Sequence, residues 1–315
     1  MRVFAGLLAA VSAAAQVVVV DTARAGFAVA PLSARGDALR QAKDGRRAIG
    51  GKPHRYRAFV TVDADHAALA KALGTRAVSV VRVAGLPLPG AVLSLEAVTA
   101  TGRNPNGLLF LSGQPSDRAE KSFDQLDAVL REAGIEAGGL LQLTCFSSTL
   151  ADAPATLAVA ARRYPSAARN LVQILAPEGR TFIECEGVAR ARQEAAYLNP
   201  PGLPKSPNYT QAVGIDAPRL VWSGLHRAAD CSPAAVRSAF TAMADALASR
   251  GASVREVAVS QLYPFSREGG DLIRSTRFDF YDRAYPPGST MVNFPPQPGV
   301  CVAVEAVAPQ RRQKR

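Results

Sequence analysis

Residues 168–189 read ARNLVQILAPEGRTFIECEGVA, two runs of alternating apolar side chains around APEGR. That is the pattern of two adjacent strands joined by a turn. Successive side chains on a strand point to opposite faces. On the first run Val172 and Ile174 share one face, and Arg169, Leu171 and Gln173 share the other. On the second, Ile183 and Cys185 lie opposite Phe182, Glu184 and Glu186. The reading places Arg169 and Glu184 together on one side of a sheet whose other side is apolar.

Working outward, this strand pair closes a unit with a strand at GLLFLSGQ (107–114), a helix at SFDQLDAVLREAG (122–134), a strand at LLQLTCFSS (140–148) and a helix at APATLAVAARRY (153–164). Phe123, Leu126 and Leu130 form one stripe of the first helix, as packing on a sheet requires. The C-terminal part repeats this order from RLVWSGLH (219–226), through a helix carrying Val236, Phe240, Met243 and Leu247, then VREVAVSQLY, a helix near FDFYDRAY, and the strands STMVNF and VCVAVEAVA. The N-terminal part repeats it more faintly, with helices at DALRQAKDGRRAIGG and HAALAKALG and strands at YRAFVTVD, AVSVVRV and AVLSLEAVTA. The units end alike, in LSLEAV, IECEGV and VAVEAV, so a second glutamate recurs as Glu96, Glu186 and Glu305. Such self-similarity predicts three divergent copies of one α+β unit. The expected boundaries are 16–101, 102–192 and 193–308, followed by a basic tail at 309–315.

Composition bounds the function. With 315 residues, 48% of them hydrophobic, the chain is globular. Its net charge of +11 is scattered, with one tight cluster in the terminal QRRQKR, so a solvated basic surface is expected and no specific nucleic-acid partner. Cys145, Cys185, Cys231 and Cys301 form no CxxC pair and three lie in apolar runs, which reads as small buried thiols. His54, His66 and His226 are dispersed without zinc-ligand spacing, so no metal and no other cofactor is expected, and His226 reads as structural. There is no nucleophile elbow, no Ser-His-Asp order and no phosphate-cradling glycine loop. MRVFAGLLAAVSAAAQ has an Arg, an apolar run and an Ala-x-Ala ending at Ala15, the pattern of a short secretory leader over 1–15. That favours a secreted or periplasmic protein over a cytoplasmic one. No long apolar run follows, so no membrane span is expected.

Four stretches, NPPGLPKSPNYTQAV (199–213), GLLFLSGQ, PSAARNLVQI and FIECEGVA, resemble the RidA (YjgF) family of reactive-intermediate deaminases. The resemblance covers the middle and C-terminal units well, and the N-terminal unit by order and periodicity. It implies a chorismate-mutase-like α+β sandwich repeated three times, closing a pseudo-trimer within one monomeric chain. It also implies hydrolysis of enamine or imine intermediates to 2-oxo acids and ammonia at a pocket between units. Arg169 matches the family's carboxylate-holding arginine and Glu184 its catalytic glutamate. Ser112 and Gly113, in LSGQ, resemble the pocket wall, and Tyr209 matches the pocket tyrosine. The other units have Ser94 and Ala303 in place of Glu184, and Ser289 in place of Arg169, with Arg76 near the corresponding N-terminal position but about two residues out of register. Without the resemblance, Arg169 and Glu184 read equally as a cross-strand ion pair. Chorismatase-like hydrolases share the architecture, and a non-catalytic binder of small carboxylates fits the degeneration of two units. Cyanuric-acid hydrolases would repeat a lysine and a serine that these units do not share.

Overall fold

The computed structural model describes residues 16–176, 179–192 and 196–311; the leader reading at 1–15 and residues 312–315 of the tail lie outside them. Strand β1 (Val18–Asp21) is followed by β2 (Gly26–Val29), α1 (Ala38–Ile49), β3 (Arg55–Val60), α2 (His66–Leu73), β4 (Val78–Arg82) and β5 (Leu93–Thr99). The middle part holds β6 (Leu108–Ser116), α3 (Ala119–Glu132), β7 (Leu140–Ser147), α4 (Ala153–Arg163), β8 (Ala168–Gln173), β9 (Ile183–Arg190), β10 (Tyr197–Leu198) and β11 (Ala212–Ile215). The C-terminal part holds β12 (Arg219–Trp222), β13 (His226–Ala228), α5 (Pro233–Ala248), β14 (Val259–Pro264), α6 (Arg267–Thr276), β15 (Gly288–Met291) and β16 (Val302–Pro309).

The described residues form three sheets whose central strands follow one order: β2-β5-β3-β4, β6-β9-β7-β8 and β12-β16-β14-β15. Pairing sense repeats too, with the last strand of each set antiparallel to the first two and the third parallel to the second. Each unit buries a helical stripe on one sheet face. In the middle unit Phe123, Leu126 and Leu130 meet Leu143, Leu171 and Ile183. In the C-terminal unit Val236, Phe240, Met243 and Leu247 meet Leu262 and Val304. Helix starts follow local chemistry: the side chains of Asp37, Asp65 and Ser232 accept N-terminal amide bonds, and Pro233 occupies the first turn of α5.

Four sequence expectations are corrected. The runs flanking APEGR are not adjacent strands, because β7 lies between β8 and β9. The second C-terminal helix is α6, started by Ser266 capping Gly269, whereas FDFYDRAY contains a short 3-10 turn. Gly269 and Gly270 disguise that helix; Gly269 packs so closely on Cys301 that a Cβ would crowd its carbonyl. The boundary at 193 cuts a sheet, since β10 and β11 extend the middle sheet beyond β6 while β1 completes the C-terminal one beside β12. Finally, the cysteines are paired, Cys145 with Cys185 and Cys231 with Cys301. The first bridge follows from register, for these residues stand opposite each other on β7 and β9.

The non-helical faces of the sheets meet at a buried charged cluster. The Nε of Arg57, on β3, donates to Glu96 at 2.7 Å, and its Nη2 to Glu186 at 2.8 Å. Nη2 of Arg55 donates to Glu305 at 2.8 Å, and Ser79 and Tyr263 also donate to that carboxylate. Glu96 accepts from Gln142, Thr144 and Asn170 of the middle unit. The glutamate repeated in each unit is thus where the sheets join. Burial pushes Glu305 up, but Arg55 and Arg57 outweigh it and hold its carboxyl below its ordinary value.

Removing one partner from a buried charge cluster costs about 3–5 kcal/mol, because the others remain desolvated and unpaired. Arg57→Met is expected to lower unfolding stability by that order, measured by urea denaturation. The Cys231–Cys301 bridge closes a separation of 70 residues. Its double alanine variant should lose about 2–5 kcal/mol in the same assay.

Candidate active site

Pairing register decides where Arg169 and Glu184 point. Arg169 stands beside Leu143, and Leu143 beside Gly187; Glu184 stands beside Phe146, and Phe146 beside Val172. Lateral neighbours in a sheet share a face. Arg169 therefore belongs to the helix-covered face, and Glu184 to the face turned toward the other units. The expectation that the two share one site, or form a cross-strand ion pair, is corrected. Nη1 of Arg169 donates to the carbonyls of Tyr164, Pro165 and Ala167, closing the chain end of α4 as a cation at a helix C-terminus does. Its surroundings form a cleft of about 320 Å³ against the N-terminal unit, beside Ser94 and Asn170.

The same register fixes the equivalences between units. Phe59–Ser94, Phe146–Glu184 and Tyr263–Ala303 are corresponding pairs, so Ser94 and Ala303 do replace Glu184. Ser289 corresponds to Arg169, and the N-terminal counterpart is Val78, with Arg76 two residues before it. Where the middle unit presents Arg169, its neighbour offers a serine in the glutamate's place. Where it presents Glu184, the other neighbour offers Ser289 in the arginine's place.

Glu184 is buried and borders a pocket of about 180 Å³ between the middle and C-terminal units. Gly113, Pro115, Asn208, Tyr209, Arg274, Arg277, Ser289 and Met291 complete the lining. Strand β6 is irregular between Leu111 and Gln114, bringing Gly113 against the carboxylate. A Cβ there would collide with Oε1, so only glycine leaves Glu184 room. The Gly113 amide donates to Thr290 Oγ1 at 3.1 Å, tying the wall to β15. Tyr209 is half-buried; burial and Glu184 push its hydroxyl above its ordinary value, while its side-chain bond to Gln211 pulls the other way.

Ser112, beside Gly113, joins β6 to β15 and to the segment before β11. Its hydroxyl is fully buried, accepts from the Ser289 amide at 2.9 Å and donates to the Thr210 carbonyl. His226 is buried, with Nε2 on the Ser223 carbonyl and its basicity lowered by burial. Among the described residues no group of His, Cys, Asp or Glu is arranged to hold a metal.

Burial, then the neighbouring Glu186, push the Glu184 carboxyl up to about 8 against a pull from the Met291 amide, so it carries a proton at neutral pH. Sequence reasoning missed Arg277 and Arg274. Arg277, directly after α6, is buried, and its Nε has no hydrogen-bond partner among the described residues. Burial lowers its basicity and nearby Arg274 lowers it further. The Ser289 hydroxyl is likewise buried without a partner. The misplaced second helix hid these arginines; a helix read from Ser266 would have put Arg274 in its last turn and Arg277 just past its end. A further cavity, of about 50 Å³, lies at the central cluster beside Arg57 and Glu186.

No family profile matches the chain, and no curated protein matches it. Solved structures of YjgF (Rid) family proteins are similar to about a third of it each. A member of the YjgF family from Mycobacterium tuberculosis is 26% identical over 28% of this chain and 77% of its own, with a TM-score of 0.24. Another from Neisseria meningitidis is 15% identical over 38% of this chain and 98% of its own, at 0.28. A Rid-family protein of unknown function from Yersinia pestis is 18% identical over 37% and 98%, at 0.32.

The raised acidity constant of Glu184 sets a stability profile. The folded chain holds this proton up to about pH 8, whereas the unfolded chain releases it near the ordinary value of 4.5. Between those values the folded state binds the extra proton, so this contribution is full below pH 4.5 and is lost as pH rises through 8. The stability difference between wild type and Glu184→Gln should therefore shift against wild type from pH 4.5 to 8, in denaturant titrations across that range.

Proposed function

We propose that the three units are RidA-like, that they close a pseudo-trimeric ring within one chain, and that the Glu184 pocket hydrolyses small imino acids. The observation that carries this reading is a protonated, buried Glu184 sharing an open pocket with the buried Arg277, whose Nε has no hydrogen-bond partner among the described residues. Perturbed acids beside a charge in a cleft mark sites of proton transfer.

The chemistry follows from these groups. Arg277 takes the role that the family resemblance gave to Arg169, binding the substrate carboxylate with its planar fork of donors. Glu184 gives its proton to the imine nitrogen, making the carbon more electrophilic. The resulting carboxylate then takes a proton from a water as its oxygen bonds that carbon, and the π electrons move to nitrogen. Glu184 next protonates the amine; the C–N bond breaks, ammonia departs, and the hydroxyl proton returns to Glu184 as the 2-oxo acid forms. Tyr209, at the mouth, orients the carboxylate or the water. The two disulfides support an oxidising compartment, in keeping with the leader-like start.

A second reading, a non-catalytic carboxylate binder, is favoured by one observation: the other two seams lack the glutamate, with Ser94 and Ala303 in its place. A coupled assay that generates 2-iminobutyrate in situ separates the two. Wild type should accelerate its decay, while Glu184→Gln loses at least about 100-fold in turnover yet still binds 2-oxobutyrate. Arg277→Ala should raise KM, whereas Arg169→Ala should leave both parameters in place. No acceleration by wild type, with 2-oxobutyrate still bound, would make the protein a binder.

A further inference from the structure

The Glu184 pocket holds more positive charge than one carboxylate requires. Arg277 lies deep, buried between the pocket and Phe278, with Nε unpartnered. Arg274 lies three residues earlier on α6, half-exposed, at the same pocket. Its Nη1 meets Asp271 at 2.8 Å, on a carboxylate that is itself well exposed. Such an exposed i, i+3 pair is weak and readily exchanged. Glu184 keeps its proton at neutral pH and so supplies no counter-charge.

Resting on the reading of this pocket as a carboxylate site, we infer that its ligand is a dicarboxylate, with one acid group held deep by Arg277 and the other at the mouth by Arg274. A cavity of about 180 Å³ accommodates a four- or five-carbon skeleton. The unpartnered Ser289 hydroxyl sits where it can donate to the deep acid group. A monocarboxylate would leave Arg274 with only its exposed Asp271 pair, and two like charges close together disfavour each other, as the effect of Arg274 on Arg277 reflects. The preferred substrate of the proposed reaction is then a 2-imino dicarboxylic acid, and Arg274 is its specificity-determining residue.

Succinate and butyrate, equal in carbon number, test this by isothermal titration on the full chain. Succinate should bind wild type at least about tenfold more tightly, the gain of one charge-assisted contact. Arg274→Ala should bring the ratio of the two affinities near one, and Arg274→Lys should restore part of it. Equal affinities in wild type, or a ratio that Arg274→Ala does not change, would overturn the dicarboxylate assignment while leaving a carboxylate pocket. Binding of neither acid would overturn the pocket reading itself.

Discussion

Arg57 is the point on which the three sheets depend. Its guanidinium, buried away from water, bonds Glu96 of its own unit and Glu186 of the middle unit. Tyr263 and Arg55 link that centre to Glu305 of the C-terminal unit. Buried ions of this kind cost several kcal/mol each to desolvate and return it only when every partner is in place. The cluster is therefore weak as a source of stability and strict as a specification: the sheets can satisfy it in one arrangement. That explains why the same glutamate recurs in units that have otherwise diverged, facing Arg57 in one copy, Thr144 in the second and Gln261 in the third. Two buried arginines of the N-terminal unit, Arg55 and Arg57, serve all three glutamates.

A single chain also frees the seams from symmetry. In a closed ring of identical subunits every interface is the same, and a change at one is made at all. Here each seam is encoded separately. The cleft toward the N-terminal unit sets Arg169 beside Ser94, while the pocket toward the C-terminal unit sets Glu184 beside Ser289. Arg169, without an acid across from it, bonds carbonyls at the end of α4. Glu184 instead shares its pocket with Arg277 and Arg274, around the end of α6.

The repeat order, most strands and the shared glutamate were legible in the sequence because each rests on local patterning: period-two strands, amphipathic helices and endings such as LSLEAV and IECEGV. Tyr209 and Gly113 were legible as pocket residues through motif resemblance. The facing of Arg169 and Glu184 was not. Alternation fixes which residues share a face within a strand, but the phase between two strands separated by a third is set by hydrogen-bond register. The inserted β7 reversed it. The same register aligned Cys145 with Cys185, forty residues apart, which no spacing rule announces. Strands β1 and β11 were displaced from their expected units because each adds to the open edge of a four-stranded set, beside β12 and β6.

The structural cluster and the candidate site are one electrostatic system. Glu184 and Glu186 lie two residues apart on the same strand and face the same way, with different partners. Glu186 receives Arg57 and Gln261, and so remains an acceptor of charge-assisted bonds. Glu184, in the neighbouring space, has an amide donor from Met291 and no cation bonded to it. Burial first, and Glu186 beside it second, hold the Glu184 carboxyl above the ordinary carboxylate range. A carboxyl kept neutral by its surroundings is how a site obtains an acid at neutral pH. The arginine that joins the sheets bonds Glu186, while burial leaves Glu184, two residues away, with a proton to give.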